Sequence, residues 1–460
     1  MEHHFLIVSY IIQGHINPAL SLGKRLASTF ASAVTFSTSI SAHRRMFPDL
    51  PTPDQEVHDG LVSYIPYSDG YDDGDRSDIT SYKSNFQATS SKSVSAIIRS
   101  LAERGRPVTC VIHTLAWAAD AARDHGIPSV LFWIQPATVF SILYHYCHGY
   151  DRVISSNIKN PGFVVNLPGL PPLTIREFPG ILTISSDDPR FWISQLFLDM
   201  IRFLDQQKTV TKPTVLVNTF DELEADALAS ISEVKLLAVG PVVSSLSDQE
   251  TACYGAALFK PKRYMEWLDS QPERSVVYVS FGSLAVLKKQ QEGEIRRGLE
   301  ETGRPYLWVV RKKATATAAA VEEEEEEEEV PTDDCKGMVV EWCSQVSVLS
   351  HAAVGCFVTH CGWNSTSETL ACGVPAVGVP QWMDQVTNAR MLEIWGAGVR
   401  AEVNGEGVLE GSELARCVEI VMGEEMRRRA KAWKEKGREA LREGGSSYRN
   451  LRDFVAEIAG

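Results

Sequence analysis

Residues 342–385 read WCSQVSVLSHAAVGCFVTHCGWNSTSETLACGVPAVGVPQWMDQ, and this stretch decides the fold. Its apolar runs at 355–359 and 374–379 are typical of buried strands, and each is closely followed by a glycine or proline and a helical segment. Strands that alternate with helices predict a parallel sheet. Such a sheet holds phosphorylated ligands at the carboxyl ends of its strands, where the polar side chains of this stretch gather.

The same alternation extends to both sides of this stretch and predicts an α/β protein. Strands are predicted at 5–10, 109–112, 129–133, 234–239, 275–280, 306–310 and 337–342, and helices at 116–125, 290–302, 366–372 and 387–395. A length of 460 residues favours two or three domains. The polar stretch 244–251 predicts a linker, so we divide the chain into a domain at 1–240, a linker at 241–255, a domain at 256–443 and a terminal helix at 444–460. Apolar residues recur at helical spacing in that last helix, which therefore needs an apolar surface to lie on.

The first strand leads to a histidine. A turn is predicted at 13–15, followed by Asn17 as the N-cap of a helix with Pro18 at its first position. His15 then lies at the strand end, where its near-neutral pKa suits a general base. A single histidine is more often structural, and that alternative stays open on the residues alone.

Composition excludes several classes of partner. The net charge is −14, and eight of the acidic residues form one run at 322–329, which predicts a disordered surface loop. Without a basic stripe, nucleic acid and anionic membranes are not expected as partners. No apolar run approaches the roughly 18 residues of a membrane span, and the first residues lack the basic region of a secretory signal. We expect no membrane association.

The cysteines point to a reducing compartment. There are nine, an odd number without a CxxC pair, and this pattern predicts free thiols in a cytoplasmic protein. The spacing of the nearby cysteines and histidines at 343–361 matches no familiar zinc site, so we predict no metal.

Two further strand ends carry candidate binding residues. His360 precedes a helix N-terminus, which binds phosphate through free N–H groups. Ser365 and Glu368 also fit a capping box, so a purely structural role is about equally plausible for this piece alone. Ser283 follows the strand at 275–280, beside a glycine that permits close backbone approach to phosphate.

The remaining candidates suit a base and a sugar. Trp342 offers an aromatic face for stacking, although a single tryptophan is more often core. Asp384 and Gln385 combine a carboxylate with an amide, which matches the hydroxyl groups of a sugar. Base, phosphate and sugar recognition are thus predicted at the strand ends of one sheet.

These residues together resemble a known family. Residues 342–385 closely resemble the 44-residue signature box of the plant secondary-product UDP-glycosyltransferases. The segment HHFLIVSYIIQGHINPALSLGKRLA at 3–27, VGP at 239–241, SFGS at 280–283 and GGSS at 444–447 are similar to other parts of that family. The resemblance covers nearly the whole chain. It implies two facing Rossmann-like domains of the GT-B type, with the acceptor bound by the N-terminal half, the donor by the C-terminal half, and the last helix returning to the N-terminal domain.

The resemblance also implies roles for individual residues. Trp342 would stack on uracil, Gln345 and Glu368 would face the ribose, Ser283, His360, Asn364 and Ser365 would hold the diphosphate, and Trp363, Asp384 and Gln385 would contact the transferred sugar. A glutamine at Gln385 goes with glucose donors more often than with galactose donors in this family. No metal is required, because the helix N-terminus and His360 supply the positive potential for the leaving phosphate. No other cofactor is expected, and UDP-glucose is the donor substrate.

One position departs from the family pattern. His15 would remove the acceptor proton, and many relatives orient this histidine with an aspartate after the strand near residue 112. Thr114 occupies that place here, and Asp120 lies further along, where relatives also carry an acid of structural role. The resemblance thus makes His15, Thr114 and Asp120 the candidate catalytic residues. Branches that act on anthocyanin 5-hydroxyls or on carboxylates often show a similar threonine.

The expected function is therefore inverting transfer of glucose from UDP-glucose to a hydroxyl of a small plant phenolic of the flavonoid or anthocyanin type. Formation of a glucose ester on a small carboxylic acid is the close alternative. A nucleotide-sugar-binding protein without transfer activity is the alternative from another class. We expect a monomer. The aromatic residues of the N-terminal half suit a flat acceptor but also suit a core, so the acceptor stays open.

Overall fold

The computed structural model describes residues 3–52, 54–76, 78–207, 212–243, 262–283, 285, 287–310, 333–334 and 336–459. The linker stretch at 244–251 and the glutamate run at 322–329 lie outside these residues. The chain divides into two compact units. The first unit comprises residues 1–255, 382–387 and 435–460, and the second comprises residues 256–381 and 388–434.

Strands and helices alternate through the first part of the chain. In order they are β1 (His4–Val8), α1 (Gln13–Phe30), β2 (Ala33–Ser37), α2 (Ile40–Met46), β3 (Val57–His58), β4 (Ser63–Tyr64), α3 (Ile79–Glu103), β5 (Cys110–His113), α4 (Trp117–Asp124), β6 (Ser129–Trp133), α5 (Ala137–His145), α6 (Asp151–Ser156), β7 (Val164–Val165), β8 (Leu173–Thr174), α7 (Gly180–Thr183), α8 (Phe191–Gln207), β9 (Thr214–Val217), α9 (Asp221–Ala229) and β10 (Lys235–Ala238). Short helical turns also lie at Tyr146–Tyr150 and Ile175–Glu177.

The alternation continues through the second part. Its elements are α10 (Lys262–Asp269), β11 (Val276–Ser280), α11 (Lys289–Thr302), β12 (Tyr306–Val309), β13 (Asp333–Asp334), β14 (Gly337–Val340), α12 (Gln345–Ser350), β15 (Val354–Thr359), α13 (Trp363–Cys372), β16 (Ala376–Gly378), α14 (Gln385–Ile394), β17 (Gly398–Arg400), α15 (Gly411–Val421), α16 (Glu424–Leu441) and α17 (Ser446–Ala459). The predicted strands and helices are confirmed, with ends displaced by one to three residues at most positions.

Each unit contains a predominantly parallel sheet. The described strands of the first sheet follow the order β10-β9-β6-β5-β1-β2-β4-β3, and those of the second follow β13-β14-β12-β11-β15-β16-β17. The edge strands β3 and β13 are antiparallel to their neighbours, and the other strand pairs of these two sheets are parallel. The first strand of each unit lies inside its sheet and has a crossover on either side, which is the doubly wound arrangement.

Apolar side chains fill both faces of each sheet. In β1, Phe5 and Ile7 enter one core cluster while Leu6 and Val8 enter another. The continuous apolar run of this strand therefore follows from burial on both faces. The strand β11 is divided in the same way between two clusters of the second unit.

The helix α17 completes one core cluster of the first unit. Leu451, Phe454 and Val455 pack in the cluster that contains Phe5, and the rings of Phe5 and Phe454 are 6.1 Å apart. The apolar spacing noted in the sequence is thus explained by the face that this helix buries.

The predicted start of α1 is wrong. The helix begins at Gln13, four residues before the proposed N-cap Asn17, and Pro18 lies inside it. The N–H groups of His15 and Ile16 already donate to the carbonyl of Ile12, at 2.9 and 3.1 Å. His15 is therefore part of the first helical turn, not of a loop. No described helix combines the length and the hydropathy that a membrane crossing requires.

Candidate active site

Three of the predicted donor residues follow strands of the second sheet. Ser283 comes after β11, Trp342 after β14 and His360 after β15. These strands run parallel within one sheet, so their carboxyl ends lie along the same edge. The structure therefore places these three residues at one edge of the second unit, as the sequence predicted.

Two glycines confine the ring of His360. A Cβ atom on Gly282 would lie 2.6 Å from Cε1 of His360, and a Cβ atom on Gly362 would lie 2.6 Å from its Nε2. Gly282 also adopts a positive φ of 79°, which glycine accepts at little cost. The backbone next to His360 is also held, since the Asn388 side chain donates a hydrogen bond of 2.9 Å to the carbonyl of Cys361. The imidazole is held by backbone that has no room for larger residues.

Burial makes His360 a neutral group. Its pKa is lowered to about 4 because the ring is removed from water. Among the described residues, the buried Nδ1 atom has no hydrogen-bond partner. The ten-residue helix α13 begins at Trp363 and directs its positive end toward this strand end. The arrangement suits a phosphate, which a helix N-terminus and a neutral N–H donor can bind together.

The predicted capping box is wrong. The helix α13 has Gly362 as its N-cap residue, so Ser365 lies within the helix and does not cap it. The Ser365 hydroxyl instead accepts a hydrogen bond of 2.9 Å from the Gln345 side chain. The helix starts earlier because Gly362 already provides the extended conformation that an N-cap needs. The side chains of Ser365 and Glu368 therefore do not cap the helix, and both accept hydrogen bonds from Gln345.

Glu368 is a half-buried residue whose carboxyl group has one described donor. The Nε2 atom of Gln345 donates to Glu368 Oε2 at 2.6 Å. Burial raises the pKa of Glu368 to about 7, and the hydrogen bond from Gln345 opposes that rise. Tyr278 in β11 donates to Gln345 Oε1 at 3.3 Å and lies 3.3 Å from the thiol of Cys343. Neither Tyr278 nor Cys343 was predicted from the sequence, because both look like ordinary core residues.

The other donor candidates differ in exposure. Trp342 and Asn364 are half-buried at the same edge of the sheet. Trp363 is only 4% exposed, and its ring centre is 6.2 Å from that of Trp395. Most of the Trp363 indole is therefore packed inside the second unit.

Asp384 and Gln385 belong to the first unit, within the segment 382–387. Gln385 accepts a hydrogen bond of 3.0 Å from the Trp382 backbone, and Asp384 is buried. The carbonyl of Met383 accepts a hydrogen bond of 2.6 Å from the Gly180 N–H. Two further contacts hold the segment 382–387. The Arg190 guanidinium lies 4.7 Å above the centre of the Trp382 ring, and the Thr387 hydroxyl donates to the Glu177 carbonyl.

His15 lies in the first unit and is half-buried and neutral. Burial lowers its pKa to about 4. Its Nδ1 atom has no hydrogen-bond partner among the described residues. The ring of Tyr10 meets the His15 ring edge-on at 5.6 Å. Open space surrounds the neighbouring Gly14, since a Cβ atom there would meet nothing within 4 Å.

Thr114 and Asp120 make no described hydrogen bond to His15. The Thr114 hydroxyl accepts a hydrogen bond of 3.2 Å from the Tyr10 backbone, because the ends of β1 and β5 lie side by side. Asp120 is half-exposed on α4 and pairs with Arg123 at 2.5 Å. Among the described residues, Tyr10 contacts both Thr114 and His15, and Asp120 lies at the surface.

An aromatic cluster near His15 was not predicted. The hydroxyl groups of Tyr10 and Tyr82 are 2.7 Å apart, and the Tyr82 ring stacks on Phe86 at 4.9 Å. Trp192 meets Tyr82 edge-on at 6.3 Å and is half-buried. Several other aromatic residues of the N-terminal half lie in the core, namely Trp117, Phe132, Trp133, Phe140, Tyr144 and Phe197. Tyr10, the last residue of the strand predicted at 5–10, was the available signal.

Metal ligands are not assembled in the part of the chain that the structure describes. No group of three or more histidine, cysteine, aspartate or glutamate side chains there is arranged to hold a metal ion. The seven described cysteines are free.

Comparison with known proteins identifies the family. Residues 161–431 match the family described as UDP-glucoronosyl and UDP-glucosyl transferase. The chain is 44% identical to crocetin glucosyltransferase, chloroplastic, of Gardenia jasminoides, over 99% of this chain and 97% of that protein. It is 43% identical to phloretin 4'-O-glucosyltransferase of Malus domestica, over 100% and 98%.

A solved structure agrees over the whole length. Os79 from O. sativa in complex with UDP is 30% identical, with a TM-score of 0.81 over 99% of this chain and 100% of that one. The α/β fold with two Rossmann-like units is accordingly of the GT-B type. The chain belongs to the UDP-glucoronosyl and UDP-glucosyl transferase family, as a plant secondary-product UDP-glycosyltransferase, and is an enzyme that transfers glucose from a UDP-linked donor.

Proposed function

We propose that this enzyme transfers glucose from UDP-glucose to a hydroxyl group of a small plant phenolic, of the flavonoid or anthocyanin type, with inversion at the anomeric carbon. The acceptor class is supported by two relatives, the phloretin enzyme of Malus domestica and an anthocyanidin 3-O-glucoside 5-O-glucosyltransferase of Perilla frutescens that is 42% identical over 100% of this chain. His15 acts as the general base.

The observation that carries the proposal is the half-buried imidazole of His15, which is neutral and whose Nδ1 atom is buried. A pKa of about 4 keeps the ring uncharged at physiological pH, so that it is able to accept a proton. Since Nδ1 is buried without a partner among the described residues, Nε2 is the nitrogen that receives the acceptor proton.

Support for the orientation of His15 comes through Tyr10. Thr114 fixes the Tyr10 backbone by a hydrogen bond, and the Tyr10 ring packs edge-on against the imidazole. Thr114 therefore acts as a positioning residue and not as a proton carrier. Asp120 has a structural role, in its ion pair with Arg123.

On the donor side, we assign each residue a part of UDP-glucose. Trp342 stacks on uracil, Gln345 and Glu368 face the ribose, Ser283, His360, Asn364 and Ser365 hold the diphosphate, and Trp363, Asp384 and Gln385 contact the glucose. The neutral state of His360 supports a hydrogen-bonding role toward the diphosphate. Trp363 is 4% exposed, so the area that it offers to the glucose is small.

The chemical step then balances. The acceptor oxygen attacks the anomeric carbon and forms the new C–O bond, while its proton moves to His15. The bond between the anomeric carbon and the diphosphate oxygen breaks, and its electron pair leaves with UDP. The N-terminus of α13 and the His360 N–H group stabilise the charge that grows on the leaving diphosphate.

Formation of a glucose ester is the second candidate. A carboxylic acid is already ionised at neutral pH and needs no base. The lack of a described carboxylate partner for His15 is the observation that favours this candidate, because the imidazolium formed from a phenol proton gains no such support.

The test is acceptor-dependent UDP release. The protein is incubated with UDP-glucose and a panel of flavonoids, anthocyanins and aromatic acids, and the anomeric coupling constant of each product is measured by NMR. We expect release with phenols and a β-linked glucoside. No UDP release with any phenol, alongside ester formation on acids, would favour the second candidate, and an α-linked product would contradict inversion.

We also propose a cytoplasmic location and a monomeric state. The free thiols of the described cysteines suit a reducing compartment. Imaging of a fluorescent fusion would test the location against a plastid, the compartment in the name of the Gardenia jasminoides relative. Light scattering on the purified protein would test the monomer.

A further inference from the structure

A chain of buried hydrogen bonds lies beneath the ribose-facing residues. The thiol of Cys343 and the hydroxyl of Tyr278 are 3.3 Å apart. The Tyr278 hydroxyl donates to Gln345 Oε1 at 3.3 Å. At the other end of the same amide, Gln345 Nε2 donates to Glu368 at 2.6 Å and to Ser365 at 2.9 Å. The side chain of Gln345 thus joins a core tyrosine to the Glu368 carboxyl group.

The two ends of the Gln345 amide are not equivalent. Its oxygen only accepts hydrogen bonds and its nitrogen only donates them. In the observed orientation the nitrogen faces Glu368, which is an acceptor when ionised. In the flipped orientation the amide oxygen would face the carboxylate, and two acceptors would meet in a buried site. Something must select between these orientations.

We propose that Tyr278 is a positioning residue for donor binding: its hydroxyl holds the Gln345 oxygen, so that the amide nitrogen faces Glu368 and sets the carboxylate for the ribose hydroxyls. This role rests on the proposed placement of the ribose at Gln345 and Glu368.

The surroundings of Tyr278 fit this role. The side chain is 1% exposed, and its ring stacks on Phe357 at 4.7 Å with an interplanar angle of 21°. Burial and the stacking on Phe357 thus hold the ring, and with it the hydroxyl, in place. Burial raises the pKa of Tyr278 well above its ordinary value, so the hydroxyl keeps its proton and is a donor at all working pH values.

Cys343 lies 3.3 Å from the Tyr278 hydroxyl, and either atom could be the donor. Burial raises the pKa of its thiol to about 12, so the thiol stays protonated and is able to donate to the Tyr278 oxygen. With the thiol as donor, the tyrosine proton is available for Gln345.

The test compares two nucleotides that differ only at the ribose. Binding of UDP and of 2',3'-dideoxyuridine diphosphate is measured by calorimetry on the wild-type protein and on Tyr278→Phe. The substitution removes one hydroxyl and keeps the ring that packs on Phe357. We expect UDP affinity to fall about fivefold, the order expected for one lost hydrogen bond, while affinity for the dideoxy nucleotide changes less than about twofold.

Tyr264→Phe is the matched control. Tyr264 is also a buried tyrosine of the second unit, and its hydroxyl accepts a hydrogen bond of 3.1 Å from the Ser344 backbone, next to Gln345 in sequence. It makes no described contact with the Gln345 side chain. We expect this variant to bind both nucleotides as the wild type does.

Each outcome is decisive. Equal losses for both nucleotides in Tyr278→Phe would show general damage to the site and overturn the proposal, as would no loss for either. A wild type that binds both nucleotides equally would overturn the ribose placement itself. If Tyr278→Phe fails to fold, Cys343→Ala replaces it, with an expected loss of about twofold for UDP alone.

Additivity gives a second measurement. If Tyr278 acts through Gln345, then Tyr278→Phe on a Gln345→Ala background should cause no further loss of UDP affinity. Losses that multiply would contradict the proposed route.

Discussion

His15 and His360 make an instructive pair. Both follow an inner strand of a parallel sheet, both are half-buried and neutral, and both have a buried Nδ1 atom without a partner among the described residues. They differ in what surrounds them. Glycine backbone encloses His360 so closely that a Cβ atom would come within 2.6 Å of its ring, whereas the glycine beside His15 has open space. Backbone atoms of glycines border the His360 ring, whereas the Tyr10 side chain borders the His15 ring.

The largest expected effect is at His15. We expect His15→Ala to lower kcat with a phenolic acceptor by about a thousandfold, because a positioned general base contributes roughly 10²–10⁴-fold. UDP affinity should not change. UDP release and calorimetry measure the two quantities. A variant that keeps wild-type turnover with phenols would remove His15 from the mechanism. Retained activity with carboxylic acids alone would indicate that these acceptors need no base.

The second effect tests the glycine cradle. We expect Gly362→Ala to raise the KM for UDP-glucose about tenfold, because the added methyl group would displace the His360 ring. Gly14→Ala is the matched control, since its Cβ atom meets nothing within 4 Å. That control should stay within about twofold of the wild type. Equal effects of the two substitutions would refute the contrast between a tight and an open site.

Donor binding at Glu368 and proton transfer at His15 should also depend on pH in different ranges. The pKa of Glu368 is raised to about 7, so the KM for UDP-glucose should rise as pH falls below about 7 and this carboxyl group becomes protonated. At saturating donor, kcat/KM for a phenol should stay level until the pH falls toward 4, where His15 gains a proton. Steady-state kinetics between pH 4 and 8 measure both profiles. Glu368→Gln should abolish the upper transition, and an acceptor transition near 6.5 would contradict the lowered pKa of His15.

The smallest effect is expected at Asp120. Asp120→Asn should leave kcat within about twofold, because the carboxylate is half-exposed and its described partner is Arg123. Kinetics with a phenolic acceptor are the measurement. A loss of a hundredfold or more would return Asp120 to the catalytic group.

The contrast between the sites explains what the sequence could predict. The strand ends that carry Ser283, Trp342 and His360 were predictable because apolar runs and glycines mark them locally. The start of α1 was predicted incorrectly, since Pro18 is a common first residue of a helix but is also tolerated further inside. The capping box failed because Gly362 precedes Ser365 and takes the N-cap position.

The contacts around His15 were beyond sequence reasoning. Tyr82 and Phe86 come from α3, far along the chain from Tyr10, and meet it only after the sheet has formed. The same holds for Tyr278, whose hydroxyl reaches a residue 67 positions away. Long-range pairs of this kind leave no local periodicity. The roles of the individual site residues stay predictions until the variants are measured.

The helix α17 has a consequence for synthesis of the protein. Ser447 and Asn450 bond to carbonyl groups of Gly240 and Ala238, more than two hundred positions earlier, and Phe454 covers Phe5. During translation, the cluster around Phe5 stays uncovered on one face until residues 446–459 have left the ribosome. A nascent chain thus carries an exposed apolar surface for most of its elongation, which makes it a substrate for chaperones. For the same reason, a fragment of residues 1–240 expressed alone would present this surface to solvent and aggregate.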